Sequence, residues 1–94
     1  MAAVTAAAVA FAVVTAAVAT VLEVEPGTLA RETRLVEDLG ADSLGLVEIA
    51  EVVEEQLRRR APGFTIDDED LEGLTTVGLA ADYAAARLEW LDRP

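Results

Sequence analysis

Apolar residues recur at helical spacing wherever this chain shows a period, and no stretch alternates apolar with polar. Val4, Phe11, Val14, Val18, Val21 and Leu22 fall three, four or seven residues apart, and Leu46, Ile49, Ala50, Val53 and Leu57 repeat the pattern. Val77, Leu79, Ala80, Tyr83, Ala84, Leu88 and Leu91 form a third stripe directed toward a core. A half-buried strand needs a period of two, so helices packed on helices are what remains.

Breakers and capping residues divide the pattern. Pro26-Gly27 ends a first helix over residues 4 to 22. Residues 26 to 42 then read as a long, partly packed loop anchored by Leu29, Leu35, Val36 and Leu39. Gly40-Ala41-Asp42-Ser43 supplies polar capping residues for a second helix over about 43 to 60, which Ala61-Pro62-Gly63 stops. Asp67-Asp68-Glu69-Asp70 suits the N-terminus of a short third helix ending near Gly73, and Thr75 or Thr76 can cap a fourth. The expected fold is all-α: a small four-helix bundle with a long loop between the first and second helices and a short third helix. A chain of 94 residues buries one core, so residues 1 to 94 read as a single domain.

The first 22 residues carry no charged side chain, and ten of them are Ala. Ala17-Val18-Ala19 looks like a small-residue cleavage site, which raises the rival reading of a signal peptide or membrane segment. Against it, no Lys or Arg precedes the apolar run, and Ala makes a weak membrane span. The expectation is that this segment stays as the first helix and that no membrane is involved.

Composition narrows the chemistry further. The chain has no Cys, His or Lys, which excludes a Ser-His-Asp triad, a Ser-Lys dyad, a Schiff base and an ordinary zinc site. Carboxylates, hydroxyls and arginines are left. No disulfide can form, in agreement with the cytoplasm. Eighteen acids against seven arginines give a net charge of -11, which argues against nucleic acid and favours basic protein partners. Residues 37 to 72 alone carry twelve acids and three arginines, or -9 of that total.

Within this acidic third, Ser43 stands at the first turn of the second helix. By composition alone it reads first as an N-cap. Glu48, Glu51 and Glu55 follow at i, i+3 and i+7 on one face, with Glu54 beside them. They form either a solvated face or a docking strip for basic partners, and Glu54-Arg58 and Glu55-Arg59 have the spacing of i,i+4 pairs that would mute its far end. The acids from Asp67 to Glu72 lack the alternating ligands and central Gly of a calcium loop, and nothing indicates the cleft of a glycoside hydrolase.

The run Val36-Glu37-Asp38-Leu39-Gly40-Ala41-Asp42-Ser43-Leu44 resembles the prosthetic-group attachment site of acyl carrier proteins. Similarity continues through Val47-Glu48, Ile66 to Glu69, Leu74-Thr75-Thr76-Val77 and Asp82-Tyr83, so that about residues 14 to 90 fit the family. The resemblance implies a bundle whose serine, here Ser43 between Asp42 and Leu44, receives 4'-phosphopantetheine from coenzyme A through a phosphopantetheinyl transferase. A chain without Cys would thereby carry a thiol it does not encode, and would act as a carrier rather than an enzyme. It further implies delivery of acyl or polyketide intermediates, held as thioesters, to a ketosynthase, an acyltransferase and related enzymes by a monomeric carrier. An acyl chain would slip between the second and third helices near Leu46, Val47, Ile66, Leu71 and Leu74, residues that core packing explains equally well. The alternatives are an aminoacyl or peptidyl carrier of nonribosomal synthesis and an unmodified acidic interaction module. Gly45 stands where many family members have an acid, and Asp67 where a Pro is common.

Overall fold

The computed structural model describes residues 5–92, and Val4, expected in the first stripe, lies outside them. Among the described residues three α-helices form: α1 over Ala6–Leu22, α2 over Ser43–Arg58 and α3 over Val77–Leu91. Each begins where a polar side chain can accept from an otherwise unpaired first-turn N–H. Thr5 accepts from Ala8, Asp42 from Gly45 and Thr76 from Leu79, at 3.1, 2.7 and 3.1 Å.

The short third helix is a 3-10 helix over Asp68–Gly73, so the bundle has three α-helices and this fourth, tighter element. Its acidic start suits a helix N-terminus, but Gly73 ends it after six residues, too few to settle into α geometry. A further one-turn 3-10 helix covers Pro26–Thr28. The second helix stops at Arg58 rather than Arg60. Phe64, fully buried, draws the chain back across the bundle, and its carbonyl accepts from the Arg58 guanidinium at 3.1 Å.

One continuous core joins Val9, Ala10, Val14, Ala17 and Val18 of α1 to Ile49, Val53 and Leu57 of α2 and to Val77, Ala81, Ala84, Ala85 and Leu88 of α3. α1 packs chiefly against α3 and next against α2. Alanines on both sides of the α1–α3 contact let the two backbones approach closely, which explains why so small an apolar residue fills the first helix.

Three apolar expectations fail. Leu79 is 48% exposed because the buried face of α3 runs through Val77, Ala81, Ala84 and Leu88, and Leu79 lies about 200° around the helix from Val77. Leu91, 38% exposed, shares the inward face but is the last residue of α3, beyond the last buried residue, Leu88. Val36 is 49% exposed and does not anchor the long loop, which is held inside by Leu29, Leu35 and Ala41.

That loop is pinned to the start of α3 through main-chain atoms. Leu35 N donates to Thr75 O, Val77 N to Thr33 O and Gly78 N to Arg31 O, at 3.0, 3.0 and 2.9 Å, around an antiparallel bridge between Arg34 and Thr76. Gly78 permits the contact, since a Cβ there would lie 3.0 Å from the Arg31 carbonyl oxygen.

Candidate attachment site

The turn before α2 is built from local backbone bonds. Gly40 N donates to Val36 O at 2.9 Å and Ala41 N to Leu35 O at 3.0 Å, with Gly40 at φ 73°, a left-handed conformation that favours glycine. The Asp38 carboxylate accepts from Arg34 N at 2.8 Å and faces the Arg34 guanidinium. The backbone hydrogen bond, followed by that of the guanidinium, holds the Asp38 carboxyl below its ordinary value of 3.8.

This turn delivers Asp42 to the N-cap and Ser43 to the first helical position. Asp42 does the capping, so Ser43 is not the cap that composition allowed. Ser43 is exposed, is the only serine in the chain, and its hydroxyl takes part in no hydrogen bond among the described residues. Gly45 is buried, and a Cβ there would meet Asp42 Oδ1 at 3.3 Å and the Leu22 side chain at 3.6 Å. Glycine therefore lets the start of α2 seat against the end of α1.

Apolar and acidic side chains are exposed in the segments on either side of the serine. Leu44 is 65% exposed, and Val36 and Val47 are exposed as well. Glu48, Glu51 and Glu55 all face solvent along α2, and among the described residues none of them forms an ion pair. The two expected muting pairs differ: Glu54 meets Arg58 at 3.6 Å, whereas Glu55 and Arg59 stay apart. Glu54 is also committed inward, accepting from Ile66 N at 2.7 Å.

Behind this face lies an apolar cavity of about 30 Å³. Leu46, Ile66, Leu71 and Leu74 line it, together with Ile49 and Val53 of α2 and Val14 of α1. Val47 does not. It sits one position off the inward face of α2 that carries Leu46, Ile49 and Val53, and it is 38% exposed.

Two acids at the 3-10 segment have protein partners, Asp70 within it and Asp67 at its N-cap. The Tyr83 hydroxyl donates to Asp70 at 2.7 Å, and Arg87 lies 3.5 Å from the Asp67 carboxylate. No group of three or more potential ligands among the described residues is arranged to hold a metal ion. The Tyr83–Asp70–Arg87 grouping was not visible in the sequence as a unit, although Tyr83 and Arg87 share the i,i+4 spacing of one helix face.

Residues 12–84 match the phosphopantetheine attachment site family. Acyl carrier proteins of Clostridium perfringens strains SM101, ATCC 13124 and 13 are each 38% identical over 68 residues, covering 72% of this chain and 83% of the relative. The chain belongs to the acyl carrier protein family. Its prosthetic group is therefore covalently attached 4'-phosphopantetheine. The fold fits the family, and the residues at the head of α2 fit the group: a solvent-facing hydroxyl uncommitted to capping, beside first-turn N–H groups and the positive end of the helix dipole, which favour a phosphodiester. Among the described residues, no helix is long and apolar enough to cross a membrane.

Proposed function

We propose that Ser43 is the attachment residue and that the chain, as one carrier domain over residues 1 to 94, presents acyl or polyketide intermediates to biosynthetic enzymes without catalysing their chemistry. The exposed, uncapped hydroxyl at the first position of α2, on the only serine, carries this reading. When bound, the prosthetic group supplies a thiol on which acyl groups are held as thioesters. Asp42 caps the first turn through Gly45 N, which holds the Ser43 backbone at the head of α2. Ser43 needs no base in this chain, because a phosphopantetheinyl transferase activates it and takes coenzyme A as donor. Leu44 gives that enzyme an apolar contact beside the hydroxyl.

Glu48, Glu51 and Glu55 are the steering strip for basic patches on the transferase, a ketosynthase and an acyltransferase. Unpaired and exposed acids act on encounter rates and allow fast release, as a monomeric cytoplasmic shuttle requires.

Intact mass after incubation with coenzyme A and a transferase tests the attachment. The wild type should gain the mass of the prosthetic group, and Ser43→Ala should remain folded and gain nothing. Modification of the alanine variant, or none of the wild type, would overturn the assignment. For the strip, Glu48→Arg and Glu51→Arg should each slow transferase association several-fold at low salt, with Glu89→Arg as the control for net charge. Equal effects at all three positions would remove the strip.

A further inference from the structure

The apolar cavity has room on the order of one water molecule, far too little for an alkyl chain. A wall must move before any chain can enter. α1, α2 and α3 each bury several residues in the common core, whereas the Asp68–Gly73 3-10 helix buries none completely. Ile66, Leu71 and Leu74 rest on the cavity only half covered. Leu71 belongs to this element, Ile66 and Leu74 flank it, and polar side chains hold it.

Its fastening to α3 centres on one hydroxyl. Tyr83 Oη donates to Asp70 Oδ2 at 2.7 Å, accepts from the Arg87 guanidinium at 2.9 Å and lies 3.4 Å from Asp67 N. Arg87 also donates to Thr65 O at 3.3 Å, faces the Asp67 carboxylate at 3.5 Å and stacks 5.3 Å from the Tyr83 ring centre. Both side chains project from α3, whose own position is fixed by core packing, so they tie a loosely packed segment to a firmly packed one.

We propose that Tyr83 and Arg87 are positioning residues forming a latch that keeps the 3-10 helix over the cavity, and that the strength of this latch sets how readily an acyl chain leaves solvent for the bundle. The second half of the proposal rests on the carrier reading above. Neither residue hydrogen-bonds to Ser43, and their effect passes through the lid. The latch is made of hydrogen bonds rather than buried apolar area, so it can release without loss of the core.

Amide hydrogen exchange on the full chain, without prosthetic group, tests the latch. Asp70 N and Leu74 N donate to Asp67 O and Leu71 O at 2.9 and 3.1 Å and report on the lid. In Tyr83→Phe and in Arg87→Gln these two amides should exchange about tenfold faster than in the wild type, with α1 and α2 amides unchanged. Arg31→Gln, which removes an exposed ion pair with Asp82 on α3, should leave the lid at wild-type rates. Unchanged lid exchange in Arg87→Gln, or acceleration shared equally with α1 and α2, overturns the latch; that variant decides alone if Tyr83→Phe does not fold.

Chain entry is tested on protein loaded with an octanoyl or an acetyl thioester, by the rate of hydroxylamine cleavage. Cleavage of octanoyl should be several-fold slower in both latch variants than in the wild type, while acetyl, too short to enter, should be cleaved equally in all. Equal octanoyl rates overturn the link between latch and chain entry. A protein that accepts no prosthetic group at all would sink the carrier reading instead, leaving the exchange result to judge the latch.

Discussion

The two connections flanking α2 are held by opposite means. The first, from the end of α1 to Asp42, is fastened backbone to backbone on the start of α3, and it buries Leu29, Leu35 and Ala41. The second, from Arg59 to Leu74, buries Phe64 but otherwise hangs on side chains: Glu54 on one side, Tyr83 and Arg87 on the other. Main-chain bonds fix position without rotamer freedom, and they lead directly into the turn that orients Ser43. Side-chain bonds leave an element free to swing out locally. The same molecule thus has a rigid approach to its candidate attachment residue and a yielding wall over its cavity.

Removing the buried anchor of the second connection should have the largest effect. Phe64→Ala leaves a void where a side chain is wholly enclosed and should cost about 3 to 5 kcal/mol in urea unfolding. A loss below about 1 kcal/mol would mean that the polar fastenings alone hold this connection. Gly78→Ala attacks the first connection. Its Cβ would sit 3.0 Å from Arg31 O and 3.1 Å from Arg31 Cβ, and a backbone carbonyl cannot turn aside as a flexible side chain does. Overpacking of this kind costs about 1 to 3 kcal/mol, against at most about 1 kcal/mol returned by helix propensity. Any gain in melting temperature would show that the loop is less firmly pinned than its hydrogen bonds imply.

The parts of this architecture that were legible in the sequence are those with local signals. Gly40-Ala41-Asp42-Ser43 before an apolar helical run marked the start of α2, Thr75-Thr76 that of α3, and Ala61-Pro62-Gly63 the break between them. The pinning of the first connection left no such mark, because main-chain bonds between Arg31 and Gly78 use no particular side chain and join distant segments. Gly78 carried the one clue, a glycine inside an otherwise helical pattern. On α3 the alanines blur which stripe is inward: by size Leu79 belongs to the core, yet Ala81 and Ala85 occupy it beside Ala84. On α2 the adjacent pair Leu46 and Val47 could not be separated by hydrophobicity, and only the helix phase sends one inward. Ser43 was recognisable by its neighbours, but only the geometry separates it from the cap that Asp42 provides.

The smallest expected effect contrasts the titration of the two connections. Burial pushes the Tyr83 phenol above its ordinary 10.0, and its hydrogen bond to Asp70 pushes the same way, outweighing Asp67 N–H and the Arg87 charge. The folded state thus favours the neutral phenol. Its contribution to stability is complete below pH 10 and is lost as the pH rises through the folded value. Asp38, in the first connection, has the reverse sign. Arg34 favours its ionised form, so its contribution is present above pH 3.8 and fades as the pH falls through the lowered folded value. Tyr83 is the chain's only tyrosine, so phenolate absorbance follows it alone. The midpoint should lie above 10.0 in the folded protein and return toward that value in urea. Alkaline titration should loosen the lid amides Asp70 and Leu74 while Leu35 and Gly78, bonded to Thr75 O and Arg31 O, keep their protection. A midpoint at or below 10.0, or equal loosening of both connections, would break the distinction between a polar latch and a main-chain pin.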